Sequence, residues 1–486
     1  MWSPVEIEAL ASPSRSATRR SAALAALVAP AAAGAPRSGA PRSGAPARGA
    51  APRPPHRRRP RGGIRHGGDR RHRPTPIFSR FTLRARRTRI RRDLDALRGR
   101  YVDRSTGRHL ALILLLMGGF MLSTAMADSG AHRRIALYMV NLFGGGNARG
   151  LVFGFMVAAA VLSMWISNTA TTLMLLPVAL AVLEQTDRKM AIPLLLGIAY
   201  AASIGGLGTP IGTPPNLIFM QVHLDRFGST PSFPEWMTWG IPVVVLMIPL
   251  AGFWLTRGVR LVTPVELPQA GRWRPFEKRV LIMFGLTALF WMTRQAPFGG
   301  WSGWLGLPQA NDASVALIAV VLMAALPNGE GGRLLRWETA SKIPWGVLLL
   351  FAGGIAIANA FVQSGLADHI AQELEALLDL PTWALILCMC LTVTFLTEVT
   401  SNTATASLLM PLLAATAVAG DINPMLLMVP AVLSASCAFM LPVATAPNAI
   451  VFGSGRIRIK EMAHAGFVLN LLGAVVITTV CVIAFD

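Results

Sequence analysis

From residue 109 onward the chain is a succession of apolar runs separated by short polar stretches. A helix that crosses a bilayer needs about 20 apolar residues. The runs at 109–127, 192–219, 237–256, 279–293, 313–327, 343–361, 424–452 and 465–485 are read as such segments. Two further runs, 151–183 and 382–419, do not fit the template. Each is too long for one crossing and too short for two crossings with a loop. Each carries the same polar triplet at its middle, Ser167-Asn168-Thr169 in the first and Ser401-Asn402-Thr403 in the second. The pattern predicts two re-entrant hairpins with the triplets at their tips, because non-helical backbone at membrane depth survives only where it is buried in protein or lines a cavity.

The segments 192–219 and 424–452 are interrupted as well. The first contains SIGGLGTPIGTPPN (203–216) and the second MLPVATAPN (440–448). Proline removes a backbone donor and glycine loosens the helix, so carbonyls are freed in mid-segment. These features recur at a nearly constant spacing. The triplets are 234 residues apart, and Thr213 and Asn216 pair with Thr445 and Asn448 at 232. Gly118-Gly119 and Ser129-Gly130 pair with Gly353-Gly354 and Ser364-Gly365 at 235. Paired interrupted helices in two repeats point to a transporter's binding site near the bilayer midplane.

Basic residues cluster at 132–134, 188–189, 257–279, 333–342 and 456–460, while 221–236, 295–312, 362–381 and 420–423 are poor in them. Placing the basic group in the cytoplasm puts both ends of the first hairpin inside and both ends of the second outside. The repeats are therefore inverted, and the two tips approach from opposite faces. The expected fold is an all-α polytopic membrane protein. Its parts are a first repeat at 109–256 with hairpin 151–183, a cytoplasmic linker at 257–278, and a second repeat at 279–486 with hairpin 382–419.

Composition agrees with this class: 53% of the 486 residues are hydrophobic, and mean hydropathy is +0.50. The net charge of +21 would suggest a nucleic-acid partner were it not local. Residues 1–110 hold 26 of the 45 Lys and Arg but 6 of the 24 Asp and Glu, which leaves the remainder with 19 basic and 18 acidic residues. That basic, low-complexity stretch has almost no aromatic residues to stack bases, so no nucleic-acid partner is expected. The cysteines, Cys388, Cys390, Cys437 and Cys481, all lie in apolar segments and read as packing residues. No Ser/Lys, Asp/Asp or His constellation marks an enzyme.

Two hydroxyls flanking an amide are costly in apolar surroundings unless they bind something. Alone, such a triplet can be polar glue between helices; two copies at repeat-related positions, each followed by a Pro-Asn break, point to a ligand site. Hairpin tips and unwound helices supply uncharged oxygens suited to a hard cation such as sodium. Helix N-termini, amides and hydroxyls supply donors suited to an anion. No Lys or Arg lies near either triplet in the sequence, so cations and helix dipoles would balance a bound anion. Glu398 is the one carboxylate within a hairpin, with Met164 as its repeat partner; it is either a proton or cation site or a hydrogen-bonded structural element.

The stretches SNTATTLMLLPVALAV, AYAASIGGLGTPIGTPPNLIF, FLTEVTSNTATASLLMP and LPVATAPNAIVFGSG resemble the divalent anion:sodium symporter family, the sodium-coupled dicarboxylate, citrate and sulfate carriers. The resemblance covers residues from about 109 to 486. It implies an elevator-type carrier, usually a homodimer, in a cell membrane. It implies one sodium held by Ser163, Ser167, Asn168 and Gly212, and a second held by Thr397, Thr400, Asn402 and Ala444. The substrate carboxylates would meet Asn168, Thr169, Ser401, Asn402, Thr403 and Thr445. The family usually has a Pro-Pro pair in the second broken helix, where this chain has Ala446-Pro447. The implied function is sodium-coupled uptake of a small dianion, a C4-dicarboxylate such as succinate; the alternative is an exchanger, or a tricarboxylate or sulfate carrier.

Residues 1–108 cannot bury a core and read as disordered, with some likeness to an organellar transit peptide. Subtracting 235 from 279–293 and 313–327 places their first-repeat counterparts at 44–58 and 78–92, where the Arg- and Pro-rich sequence cannot span a bilayer. The expectation is that the stretch before about residue 100 is not native to this fold; the alternative is a true disordered tail.

Overall fold

Backbone groups in hydrocarbon must find their partners within the chain, and the described residues satisfy this as helices. The computed structural model describes residues 104–143, 147–259, 271–295, 298–307, 309–365 and 380–485. The expectations for residues 1–103 and for the middle of the linker, 260–270, fall outside them.

The first repeat consists of α1 (Arg104–Ser129), α2 (Ala131–Phe143), α3 (Ala148–Ser163), α4 (Asn168–Leu183), α5 (Ala191–Gly205), α6 (Pro214–Phe227) and α7 (Phe233–Thr256). The second consists of α8 (Pro275–Met292), α9 (Asp312–Ala325), α10 (Trp345–Gln363), α11 (Thr382–Val399), α12 (Asn402–Ala419), α13 (Pro424–Ala435), α14 (Ala446–Phe452) and α15 (Ile459–Phe485). Among the described residues six stretches are long and apolar enough to cross a membrane, including α1, α7, α11, α12 and α15.

The hairpins are α3–α4 and α11–α12. The first pair has 16 residues per arm, about 24 Å at 1.5 Å per residue, short of a hydrocarbon core of about 30 Å. The second pair has 18 per arm. At each tip the triplet's serine is the N-cap of the returning arm: Ser167 Oγ accepts from Ala170 N, and Ser401 Oγ from Ala404 N, both at 3.1 Å. Each returning arm carries an internal proline, Pro177 and Pro411, again 234 residues apart. The two long segments are broken where glycine and proline accumulate, between α5 and α6 and between α13 and α14. Gly130 and Gly365, at the matched ends of α1 and α10, both adopt the left-handed conformation, with φ of 77° and 72°.

The repeats interlock. α14 packs on α4 and α5 of the first repeat, and α6 packs on α10 and α12 of the second. α5 lies at the centre, buried along its whole length apart from Ile192. Close approach there requires glycine: a methyl on Gly240 of α7 would overlap the carbonyl oxygen of Leu207, and one on Gly466 of α15 that of Phe439. Those two carbonyls are repeat-related.

One helix was not anticipated. α2 lies between α1 and the first hairpin and buries Ala131, His132, Ala136, Leu137 and Val140. Its apolar positions are too few and too interrupted to register as a span. The matching part of the second repeat, 366–379, lies outside the described residues.

Candidate functional site

Both tips and both breaks face one cavity of about 500 Å³. Its wall includes Ser167, Asn168 and Thr169 from the first tip, and Ser401, Asn402 and Thr403 from the second. Gly212, Thr213 and Pro214 come from the first break, and Ala444, Thr445, Ala446 and Pro447 from the second. The N-termini of α4, α6, α12 and the short α14 therefore open on the same space. Their unpaired N–H groups and positive dipole ends favour an anion.

The tips repeat one another at the level of hydrogen bonds. Ser163 donates its hydroxyl to Asn168 Oδ1 at 2.6 Å. Thr397, 234 residues on, donates to Asn402 Oδ1 at 2.9 Å and also reaches the Ala435 carbonyl at 2.8 Å. Gly206 leaves room for the first cluster: a methyl there would stand 3.0 Å from Asn168 Oδ1 and 3.2 Å from the Gly212 carbonyl oxygen. The first tip thus brings the Ser163 hydroxyl to Asn168 Oδ1, and Asn168 Oδ1 and the Gly212 carbonyl both lie close to Gly206, with Ser167 closing the turn. At the second tip Thr397 and Asn402 are together, and Ala444 lines the same cavity as Asn402. Thr400 is not drawn in by its side chain. Its hydroxyl turns back to the Leu396 carbonyl at 2.9 Å and meets the Thr405 hydroxyl at 2.6 Å.

The breaks hold their shape through a matched pair of asparagines. Asn216 donates to the Gly206 and Thr209 carbonyls at 3.0 and 2.8 Å. Asn448 donates to the Ala438 and Leu441 carbonyls, both at 3.0 Å. Acceptors freed by the lost helical turns are thereby satisfied, as buried carbonyls require. Both asparagines are fully buried and do not line the cavity.

Glu398 lies behind the second tip, 4% exposed. Its carboxylate accepts from the backbone N–H groups of Phe439, Met440 and Leu441 at 2.6, 2.8 and 3.0 Å, and from Asn470 Nδ2 at 2.8 Å. The first repeat fastens its break differently: Thr209 donates its hydroxyl to the carbonyl of Met164, the residue matching Glu398, at 2.5 Å. Of the two alternatives for Glu398, the geometry favours the structural one, since its lone pairs are directed at the break.

No Lys or Arg stands beside either triplet in the sequence, yet one basic side chain shares their cavity. Lys342 lines the same cavity. It lies more than 50 residues from either triplet in sequence, and tertiary packing alone brings it there. No local pattern announced it.

The CitMHS citrate transporter family model matches residues 100–429. The sodium-dependent dicarboxylate transporter SdcS of Staphylococcus saprophyticus is 39% identical over 396 residues, 76% of this chain and 75% of that protein. SdcS of Staphylococcus aureus is 38% identical over 395 residues, with the same shares. Among solved structures, the Alcanivorax borkumensis YdaH transporter, whose topology is described as unusual, superposes with a TM-score of 0.50 at 16% identity. That likeness covers 76% of this chain and 84% of the YdaH chain and bears on the fold alone.

Proposed function

The chain belongs to the divalent anion:sodium symporter family, and from that premise we propose that it couples sodium influx to the uptake of a small dicarboxylate, succinate being the simplest. It is a multi-pass protein of the plasma membrane. The observation that carries the reading is the convergence of two Ser-Asn-Thr tips and two helix breaks on one cavity.

One sodium is assigned to Ser163, Ser167, Asn168 and Gly212. The second is assigned to Thr397, Asn402 and Ala444, with Thr400 contributing its backbone. The fit is chemical: uncharged oxygens at both tips suit a hard, singly charged ion. The carboxylates of the substrate are assigned to Asn168, Thr169, Ser401, Asn402, Thr403 and Thr445. Asn168 and Asn402 serve both roles, with Oδ1 toward the ion and the amide toward the anion. Sodium thus completes the site that the dianion needs, which is the physical basis of coupling. The interlocked tips and breaks move as one body in an elevator-type cycle, carried by a homodimer. The protein acts as a carrier and catalyses no covalent change.

Uptake of labelled succinate into proteoliposomes under a sodium gradient tests the reading, with citrate and sulfate as competitors. Strong competition by sulfate and none by malate or fumarate would replace the dicarboxylate with an inorganic dianion.

A further inference from the structure

Lys342 is the one charged residue in the cavity wall among the described residues. It makes no ion pair among them. It is exposed, whereas Ser203 and Thr213, on the same wall, are 1% and 4% exposed. Lys342 therefore belongs to the solvent-open part of the wall, as Pro344 and Ser401 do, and Ser203 to its buried part.

Its position is fixed from both sides. The preceding turn, Trp337–Ala340, packs on α1, where Thr339 donates to Asp128 at 3.2 Å and Arg336 pairs with the same carboxylate at 3.5 Å. On the other side Trp345 Nε1 donates to the Ser341 carbonyl at 2.9 Å. The Lys342 backbone N–H itself donates to the Thr339 carbonyl at 3.1 Å. The lysine is thus carried on a tethered corner whose other cation is already neutralised by Asp128.

The corner belongs to the basic group of the chain, with Arg333 and Arg336 beside it and Arg133 and Arg134 just beyond α1. The positive-inside preference puts that group in the cytoplasm, so this conformation opens its cavity inward, past Lys342. A cation in the wall of a low-dielectric cavity focuses field lines and raises the local concentration of anions. The tips themselves offer only neutral groups and dipoles.

We propose that Lys342 is the cytoplasmic-side recognition residue for the dianion, in the sense that it receives one carboxylate at the solvent-open part of the wall and sets the affinity of the inward-open state. This inference rests on the dicarboxylate reading above. A higher internal affinity delays release and lets internal substrate rebind, which shifts the carrier from net uptake toward exchange.

The test is made on the full chain in membrane vesicles of both orientations. In inside-out vesicles, K342Q is expected to raise the half-saturation for labelled succinate about 3- to 10-fold, the size of one partly exposed charge interaction with a dianion, while maximal rate changes less than about twofold. K342R is expected to restore the wild-type value. At fixed sodium, raising ionic strength with an inert salt should weaken succinate binding at this face in the wild type and have little effect in K342Q. Equal half-saturation in wild type and K342Q would overturn the proposal, and so would an equal rise at both membrane faces. If K342Q fails to reach the membrane, a wild-type half-saturation that ignores ionic strength would overturn it. Absence of sodium-driven succinate uptake by the wild type in right-side-out vesicles would instead defeat the functional reading itself.

Discussion

Replacing Gly206 by alanine tests whether the first tip is an ion site. The residue lies in the short 3-10 turn that ends α5, with φ −57° and ψ −18°, so alanine fits the backbone. The matched residue of the second break is already Ala438. The difference lies in what surrounds the methyl. At position 206 it would meet Asn168 Oδ1 at 3.0 Å, Asn168 Nδ2 at 3.2 Å and the Gly212 carbonyl oxygen at 3.2 Å. Ordinary contact begins near 3.4 Å, so these groups must retreat by a few tenths of an ångström. Without sodium the Asn168 side chain can turn away and relieve the contact. With sodium bound it is pinned, and the strain falls on the bound state. Overpacking of this kind costs about 1–3 kcal/mol, which corresponds to a rise of roughly 5- to 150-fold in the sodium concentration for half-maximal uptake. The assay is succinate uptake by proteoliposomes across a sodium titration. Gly285→Ala serves as the control, since a methyl at that position meets nothing within 4 Å. An unchanged sodium half-saturation in G206A, with normal expression, would refute the placement of an ion at this tip.

Other outcomes follow from the same geometry. N168A and N402A each remove an amide assigned to both ion and anion, and each should abolish uptake while the protein still reaches the membrane at normal levels in a surface-labelling assay. A446P should fold, because Pro214 already occupies the matched position after an extended Thr213 and Thr445 is likewise extended. It removes one N–H from the cavity wall, so succinate half-saturation should rise about 10- to 100-fold, the range for a hydrogen bond to a charged group, with no loss of melting temperature. Lowering pH below about 5 protonates one carboxylate of succinate and should weaken uptake. Faster uptake at that pH would mark the monoanion as the substrate.

Much of this arrangement is legible in the sequence. The triplets announced their tips because Ser167 and Ser401 do at each tip what serine does at a helix start. The breaks were legible because Gly205-Gly206, Pro210 and Pro214-Pro215 cannot continue a helix, and the internal repeat doubled every such signal. What escaped was set by tertiary packing. Asn216 and Asn448 stand out in the sequence only as a repeated pair, and packing alone shows that their amides face the freed carbonyls behind the wall. Glu398 could not be assigned until Phe439, Met440 and Leu441 were seen to aim their N–H groups at it. Lys342 reached the cavity through the tie of Thr339 and Arg336 to Asp128, an interaction spanning about half the chain. α2 was missed because a short helix with one buried face leaves too little apolar sequence to count.

The central claim is that sodium completes the anion site at two tips. The most direct test is the initial rate of succinate uptake into proteoliposomes as sodium is titrated against choline at constant ionic strength. The account predicts no uptake in choline alone and a sigmoidal rise with sodium, with a Hill coefficient greater than one. Uptake that persists unchanged when choline replaces sodium would contradict it.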